Sequence, residues 1–181
     1  EEEEEEEDAP SARPIVESSA LFDETKAAPE NTHDTRTSSN TTTLLLFYQY
    51  VEPPWSETEY KHNLQHVEQL GQQASVMGRM RVAREGLNCT LTGSRHEILD
   101  FCRSLRRWRP VFLETEFKLT HDLPAATTQF QQLKIIPVQE LVHYGLNGPK
   151  APPIAQYSGT HLEPQEYHSK LAQPETVVID V

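Results

Sequence analysis

The sequence predicts an α+β fold, and three observations support this prediction. Several short segments alternate apolar and polar residues, which is the period of a strand with one buried face. Two longer segments space their apolar residues three and four positions apart, which is the period of an amphipathic helix. Taken along residues 43–122, these segments follow the order β-α-β-β-α-β.

An apolar run marks the first strand of this unit, and a helix-capping motif marks the start of its first helix. Residues 43–51, TLLLFYQYV, predict a central strand, which Pro53 and Pro54 end. Ser56 and Glu59 then have the spacing of a capping box, in which two side chains satisfy the first free amides of a helix. The apolar face of that helix consists of Tyr60, Leu64, Val67 and Leu70.

A β-hairpin and a second helix follow. Residues 78–91 alternate on either side of a turn at 84–86, where Gly86 can adopt positive φ. Ser94 and Glu97 repeat the capping box. The second helix should bury four residues at spacings of three, four and three: Ile98, Phe101, Leu105 and Trp108.

Pro110 ends the second helix, and the alternation over residues 111–119 predicts the last strand of the unit. Two helices on one face of an antiparallel sheet in this order form a ferredoxin-like split βαβ sandwich, with the usual right-handed crossovers. Residues 134–142, KIIPVQELV, predict a further segment on the sheet edge, because Pro137 is poorly suited to a central strand.

The predicted organisation has four parts. They are a disordered acidic tail at 1–42, the ferredoxin-like domain with its extension at 43–144, an extended Gly/Pro-rich linker at 145–160, and the start of a second domain at 161–181. The last part contains a short helix and then an apolar strand at 176–181 that has no partner strand left in the sequence. Because a lone strand is not a stable domain, we expect the second folding unit to be cut.

The net charge of −12 is concentrated in the predicted tail. Residues 1–40 carry thirteen acidic and three basic side chains, so the remaining residues have a net charge of only −2. The tail also has few large apolar residues, which predicts disorder. Its glutamate run could bind a basic protein partner or act only as a solvating segment.

The sequence contains no motif for a metal or a cofactor. Its eight histidines are scattered, and Cys89 and Cys102 have neither metal-ligand nor disulfide spacing. No apolar run approaches the roughly 20 residues that cross a bilayer. A reducing compartment is favoured, the cytoplasm first, and an organelle stays open because the chain does not begin with Met.

Four segments together carry a family resemblance. They are LLLFYQYV at 44–51, GRMRVAREGLNCTLTG at 78–93, FQQLKIIPVQELV at 130–142, and GTHLEPQEYH leading to VVIDV at 159–181. They resemble the rhodanese-domain proteins of the tRNA uridine hydroxylase type and their eukaryotic rhodanese-like relatives. In that family the hairpin reads like R-x-x-x-A-x-E-G-[IL]-N-G-T-x-x-G, and Cys89 stands where the family usually has Gly.

The resemblance implies an acylphosphatase-like, that is ferredoxin-like, domain followed by a rhodanese domain. In that family a loop cysteine of the rhodanese domain acts in oxygen-dependent hydroxylation of the wobble uridine of tRNA. We expect this cysteine to lie beyond Val181, so the intact protein would be the enzyme and this chain its substrate-positioning part, with no catalytic residue. Two alternatives are a rhodanese-type sulfurtransferase and a non-catalytic protein-interaction module.

The candidate binding residues lie on the predicted hairpin. Arg79, Arg81 and Arg84 could contact the tRNA backbone, although arginines on a surface can also simply keep it soluble. Four motif residues either shape the turn or face a substrate pocket: Glu85, Gly86, Asn88 and Thr90. The sequence shows no recognisable aromatic arrangement for stacking unpaired bases, and it leaves the oligomeric state open.

Overall fold

The computed structural model describes residues 12–19, 41–125, 130–143, 145–146 and 152–179. The chain divides into two compact units, Glu1–Asn147 and Gly148–Val181. Most of the predicted acidic tail, residues 1–11 and 20–40, lies outside the described residues. None of the helices in the described part of the chain is both long and apolar enough to cross a membrane.

The first unit is built around one twisted sheet. Its described strands are β1 (Val16–Ser19), β2 (Thr41–Tyr50), β3 (Met77–Ala83), β4 (Gly86–Gly93), β5 (Lys118–Pro124) and β6 (Leu133–Pro137). They are arranged in the order β1-β5-β2-β4-β3-β6. The four inner strands are antiparallel neighbours, as the ferredoxin-like prediction requires, while β1 and β6 are added in parallel at the two edges.

Two helices, α1 (Glu57–Gln73) and α2 (Arg95–Trp108), connect the strands of the first unit. Both predicted capping boxes are present. The Oγ of Ser56 accepts a hydrogen bond from the Glu59 amide at 3.3 Å, and the Glu59 carboxylate accepts one from the Ser56 amide at 2.9 Å. Ser94 and Glu97 repeat the pattern. Each helix therefore begins at the residue that its local sequence specifies.

The core lies between these helices and one face of the sheet. Val67 of α1 and four residues of α2, namely Ile98, Phe101, Cys102 and Leu105, are buried there, together with inward-facing strand residues. The largest fully buried side chains are Phe101, Phe112, Phe117, Leu45, Met80, Leu87, Leu91, Ile98, Leu105 and Leu119. The structure and the predicted α+β sandwich agree on which helix faces point inward.

The last strand of the sandwich starts later than its alternating pattern predicts. Pro110–Leu113 forms a short 3-10 helix, and β5 begins only at Lys118. Pro110 favours a helical first position because its φ is fixed and its missing N–H is not needed there. The resulting turn buries Phe112, whereas in a strand over residues 111–119 this side chain would share a face with Glu114 and Glu116.

The prediction of a disordered tail over residues 1–42 is wrong for the segments that the structure describes. Residues 12–19 run along the sheet, and β1 pairs in parallel with β5 from Val16↔Lys118 to Ser19↔His121. The Arg13 amide donates to the Leu113 carbonyl at 2.8 Å. Residues 41–42 already belong to β2.

The second unit differs from its prediction in two places. It contains α3 (Ile154–Tyr157) and α4 (Pro164–Leu171). The single turn of α3 lies within the segment 145–160 that was predicted to be an extended linker. Residues 176–179 were predicted to be a strand but do not form one, because no described strand pairs with them and a strand requires such pairing.

Candidate nucleic-acid interface

The face of the sheet that the helices do not cover includes two neighbouring rows of outward-pointing side chains on its middle strands. Strand register sets the first row as Lys118, Leu46, Thr90, Arg79 and Lys134. It sets the second row as Tyr48, Asn88, Arg81 and Ile136. We call these two rows the open face. It combines four cations with an aromatic ring and two aliphatic side chains.

The two arginines of β3 are the best-placed cations of the open face. Both are exposed, and they lie two residues apart on one strand, a separation of about 7 Å. The guanidinium of Arg79 lies 5.7 Å from the centroid of the Phe130 ring. Within the described part of the chain, neither Arg79 nor Arg81 forms a hydrogen bond or an ion pair through its side chain. Both charges are therefore available to an anion.

Arg84 has a different environment, at the tip of the hairpin. Its Nε donates to the carbonyl of Trp55 at 2.6 Å, and its own carbonyl accepts from the Trp55 amide at 2.7 Å. These bonds fix the segment between β2 and α1 against the turn. The structure thus brings Arg79 and Arg81 together, while Arg84 has a structural contact of its own.

Glu85 and Asn88, two polar residues of the hairpin motif, hold the chain that follows β6. The Glu85 carboxylate accepts from the Leu141 amide at 2.6 Å, and the Asn88 amide group donates to the Leu141 carbonyl at 3.3 Å. Leu141 itself is only 2 % exposed. These contacts account structurally for two residues that had been considered for a substrate pocket. Thr90 lies half-buried in the first row, between Leu46 and Arg79.

Gly86 is required by the close approach of β2. Its φ is +136°, and an added Cβ would lie 1.9 Å from the carbonyl oxygen of Gln49. No side chain fits at this distance, so the glycine of the motif allows the hairpin to pair with β2 from its first residue. The positive φ that the sequence predicts at this turn is confirmed.

Neither cysteine has the environment of a nucleophile. Both are buried. Desolvation raises the pKa of the Cys89 thiol far above its ordinary value, and it raises the pKa of the Cys102 thiol to about 12, although nearby Arg106 acts in the opposite direction. Both thiols are therefore protonated at neutral pH and closed to substrate. Among the described residues, no group of three or more His, Cys, Asp or Glu side chains could hold a metal ion.

Tyr48 is the aromatic residue of the open face, and sequence reasoning missed it. Its side chain is 66 % exposed, and its ring meets the Tyr50 ring edge-on at a centroid distance of 6.1 Å. The sequence predicts only a central strand from the apolar run 43–51, and the period of two within this run went unused. Leu45 and Phe47 point into the core, whereas Leu46 and Tyr48 point out. This alternation was the available signal.

Comparison with known proteins gives a family match over the same region. The UPF0176 acylphosphatase-like domain matches residues 42–141. Three similar proteins are each named tRNA uridine(34) hydroxylase. The one from Onion yellows phytoplasma (strain OY-M) is 29 % identical over 146 residues, which cover 81 % of this chain and 44 % of the relative.

The other two relatives come from Bacillus pumilus and Enterococcus faecalis. They are 29 % and 31 % identical over 135 residues, covering 75 % of this chain and 39 % and 40 % of the relatives. The chain therefore spans less than half the length of these proteins. The resemblance to the tRNA uridine hydroxylase family, and the acylphosphatase-like fold that it implies, are confirmed. Through this N-terminal domain, the chain belongs to the UPF0176 family.

Proposed function

We propose that this chain is the substrate-positioning part of a tRNA uridine(34) hydroxylase and that it contacts tRNA through Arg79, Arg81 and Arg84. The observation that carries the proposal is the pair of exposed guanidinium groups on β3, which have no acidic partner in the described part of the chain. The substrate is inferred from the names of the relatives.

In this proposal the chain binds and orients tRNA but does not react with it. A cysteine nucleophile must be deprotonated and open to solvent, and neither Cys89 nor Cys102 meets these conditions. The reacting cysteine would then belong to a rhodanese domain outside this chain. The open face supplies the electrostatic part of binding, which depends on phosphate contacts.

The binding claim is tested by replacing the two unpaired arginines of β3. Arg79→Ala/Arg81→Ala should weaken tRNA binding and reduce the slope of log K against log salt concentration by about 1 to 2, because each phosphate contact contributes slightly less than one to that slope. Filter binding or fluorescence anisotropy from 50 to 300 mM salt, roughly the range over which such contacts are screened, measures both quantities.

The matched control is Arg103→Ala/Arg107→Ala, which removes two exposed arginines from α2, on the side of the sheet opposite the open face. This variant should keep most of the affinity. Arg84→Ala is analysed separately, because it also removes the contact to Trp55. Equal losses in the β3 and α2 variants would show only a general effect of charge and would contradict the proposal.

The enzymatic claim has its own readout. Cells that lack the intact protein should lose hydroxylated uridine at the wobble position of their tRNA, as measured by mass spectrometry of digested tRNA. A normal tRNA profile would favour the sulfurtransferase or the non-catalytic interaction module. Complementation with a variant of the intact protein carrying Arg79→Ala/Arg81→Ala should then restore less hydroxyuridine than the wild type does.

A further inference from the structure

The position of Tyr48 suggests a second kind of contact on the open face. The residue lies on β2, beyond the part of this strand that pairs with β5, so among the described strands only β4 pairs with it. Its direct cross-strand neighbour is Asn88, and Arg81 lies one strand further. Neighbouring strands are about 4.8 Å apart, which puts the backbones of Tyr48 and Arg81 roughly 10 Å from each other.

Leu46 and Tyr48 remain 42 % and 66 % exposed although both are large and mostly apolar. Arg79 and Arg81 lie on the same face, one strand beyond the polar residues Thr90 and Asn88, which makes the face a poor match for a purely apolar partner. A partner that complements it must offer flat rings and negative charge together. Unpaired nucleotides offer both, since their bases are free to stack and each carries a phosphate.

We propose that the open face binds unpaired nucleotides of an RNA loop, with one base stacked on Tyr48 and the adjoining phosphates bound by Arg79 and Arg81. This inference rests on the proposed function for its claim that the substrate is tRNA. It adds that Tyr48 is a binding residue, which contacts an unpaired base by stacking. In regular duplex RNA the bases stack on one another, so no base is free to stack on the Tyr48 ring.

Stacking on Tyr48 would be tolerant of base identity. The Nδ2 of Asn88, the residue opposite Tyr48 across the strands, donates to the Leu141 carbonyl, which ties this side chain to the segment after β6. An aromatic ring accepts any of the four bases on its face. The open face would therefore recognise that a nucleotide is unpaired, rather than which base it carries.

The test compares two labelled RNAs with the full 181-residue chain. One is a hairpin with a seven-nucleotide loop, and the other is a continuous duplex of the same number of phosphates. Binding is followed by fluorescence anisotropy at fixed salt for the wild type, Tyr48→Ala and Tyr48→Phe. The matched control is Tyr157→Ala, which removes a 69 % exposed tyrosine from α3.

Tyr48→Ala should weaken binding of the hairpin by about tenfold, within the range found for loss of one base–aromatic stack, and should leave binding of the duplex unchanged. Tyr48→Phe keeps the ring and should bind the hairpin within about twofold of the wild type, as should Tyr157→Ala. Thermal unfolding of each variant confirms that the exposed substitutions leave the fold intact.

Three results would overturn the inference, and they are distinguishable. If Tyr48→Ala binds the hairpin as the wild type does while Arg79→Ala/Arg81→Ala binds it weakly, stacking is wrong and the proposed function stands. If the wild type binds neither RNA, both claims fail. If the chain forms a concentration-dependent dimer in analytical ultracentrifugation that Tyr48→Ala abolishes, the open face is occupied by a second copy instead.

Discussion

The two faces of the sheet use the same strand for different purposes. On β2, Leu45 is fully buried beneath the helices, whereas its neighbour Leu46 is 42 % exposed on the open face. Phe47 and Tyr48 repeat the contrast one step along. An apolar run in a sequence therefore does not show that all of its residues serve stability. Half of this run builds the core, and we propose that the other half meets RNA.

The largest expected effect compares these two leucines directly. Leu45→Ala should destabilise the fold by about 2 to 5 kcal/mol, because it leaves a cavity in a packed core, whereas Leu46→Ala should change stability by roughly 0.5 kcal/mol or less. Urea unfolding of the full chain, followed by circular dichroism, measures both. If the two variants lost similar amounts of stability, something would have to cover the open face in solution.

A smaller effect on stability is expected where the Glu85 side chain binds the backbone of Leu141. Glu85→Ala removes the carboxylate that accepts a hydrogen bond from the Leu141 amide. A hydrogen bond to a charged group stabilises a fold by about 1.5 to 3 kcal/mol. Because Glu85 is only half-buried, we expect the variant to lower the free energy of unfolding by about 1 to 1.5 kcal/mol. Hydrogen exchange of the Leu141 amide is the direct readout.

Glu85→Gln is the control for this contact, since it keeps a side-chain oxygen that can accept the same bond without the charge. It should retain more of the amide protection than Glu85→Ala. If both variants exchange at the wild-type rate, the Leu141 segment is held by packing alone, and the structural account of Glu85 is wrong.

The smallest expected effect is at the β1 edge and depends on pH. The pKa of the Glu17 carboxyl is below its ordinary value. The main cause is a hydrogen bond from Arg95 at 2.7 Å, and a weaker contribution comes from the hydrogen bond with neighbouring His121. Because the folded-state pKa is the lower one, this stabilisation is present above the ordinary pKa of the carboxyl and is lost as the pH falls through the depressed value.

Acidification below pH 4.5, the ordinary pKa of the carboxyl, should therefore loosen β1 before the rest of the sheet. The effect should be under about 1 kcal/mol, as is usual for a solvent-exposed ion pair. Hydrogen exchange of the β1 amides as a function of pH would measure it, and Glu17→Gln should make the protection of β1 nearly independent of pH in this range. An unchanged pH profile in that variant would show that other groups control the strand.

The sequence predicted best those elements whose signals are local. Ser56 and Glu59, like Ser94 and Glu97, mark helix starts within four residues, and the hairpin of β3 and β4 needs only its own alternation and Gly86. The pairing of β1 with β5 was not predictable in this way, because it joins residues about a hundred positions apart through a four-residue strand.

The candidate site was predicted only in part for a related reason. Alternation in the hairpin placed Arg79 and Arg81 on one face, but the contacts of Arg84 with Trp55 and of Glu85 with Leu141 depend on segments far away in the chain. Tyr48 was missed because its strand is apolar at nearly every position. Which alternate side chains of such a strand are buried depends on the face of the sheet that the two helices cover.

The proline at the end of β6 has a consequence for association between molecules. Along β6 the backbone amides point alternately toward β3 and away from it, and the Val138 amide points toward β3, where it donates to Val82. Position 137 therefore faces outward, and as a proline it has no N–H to offer. A strand from another molecule that paired with this edge would lack a hydrogen bond at position 137. This disfavours the open-ended strand addition that leads to aggregation.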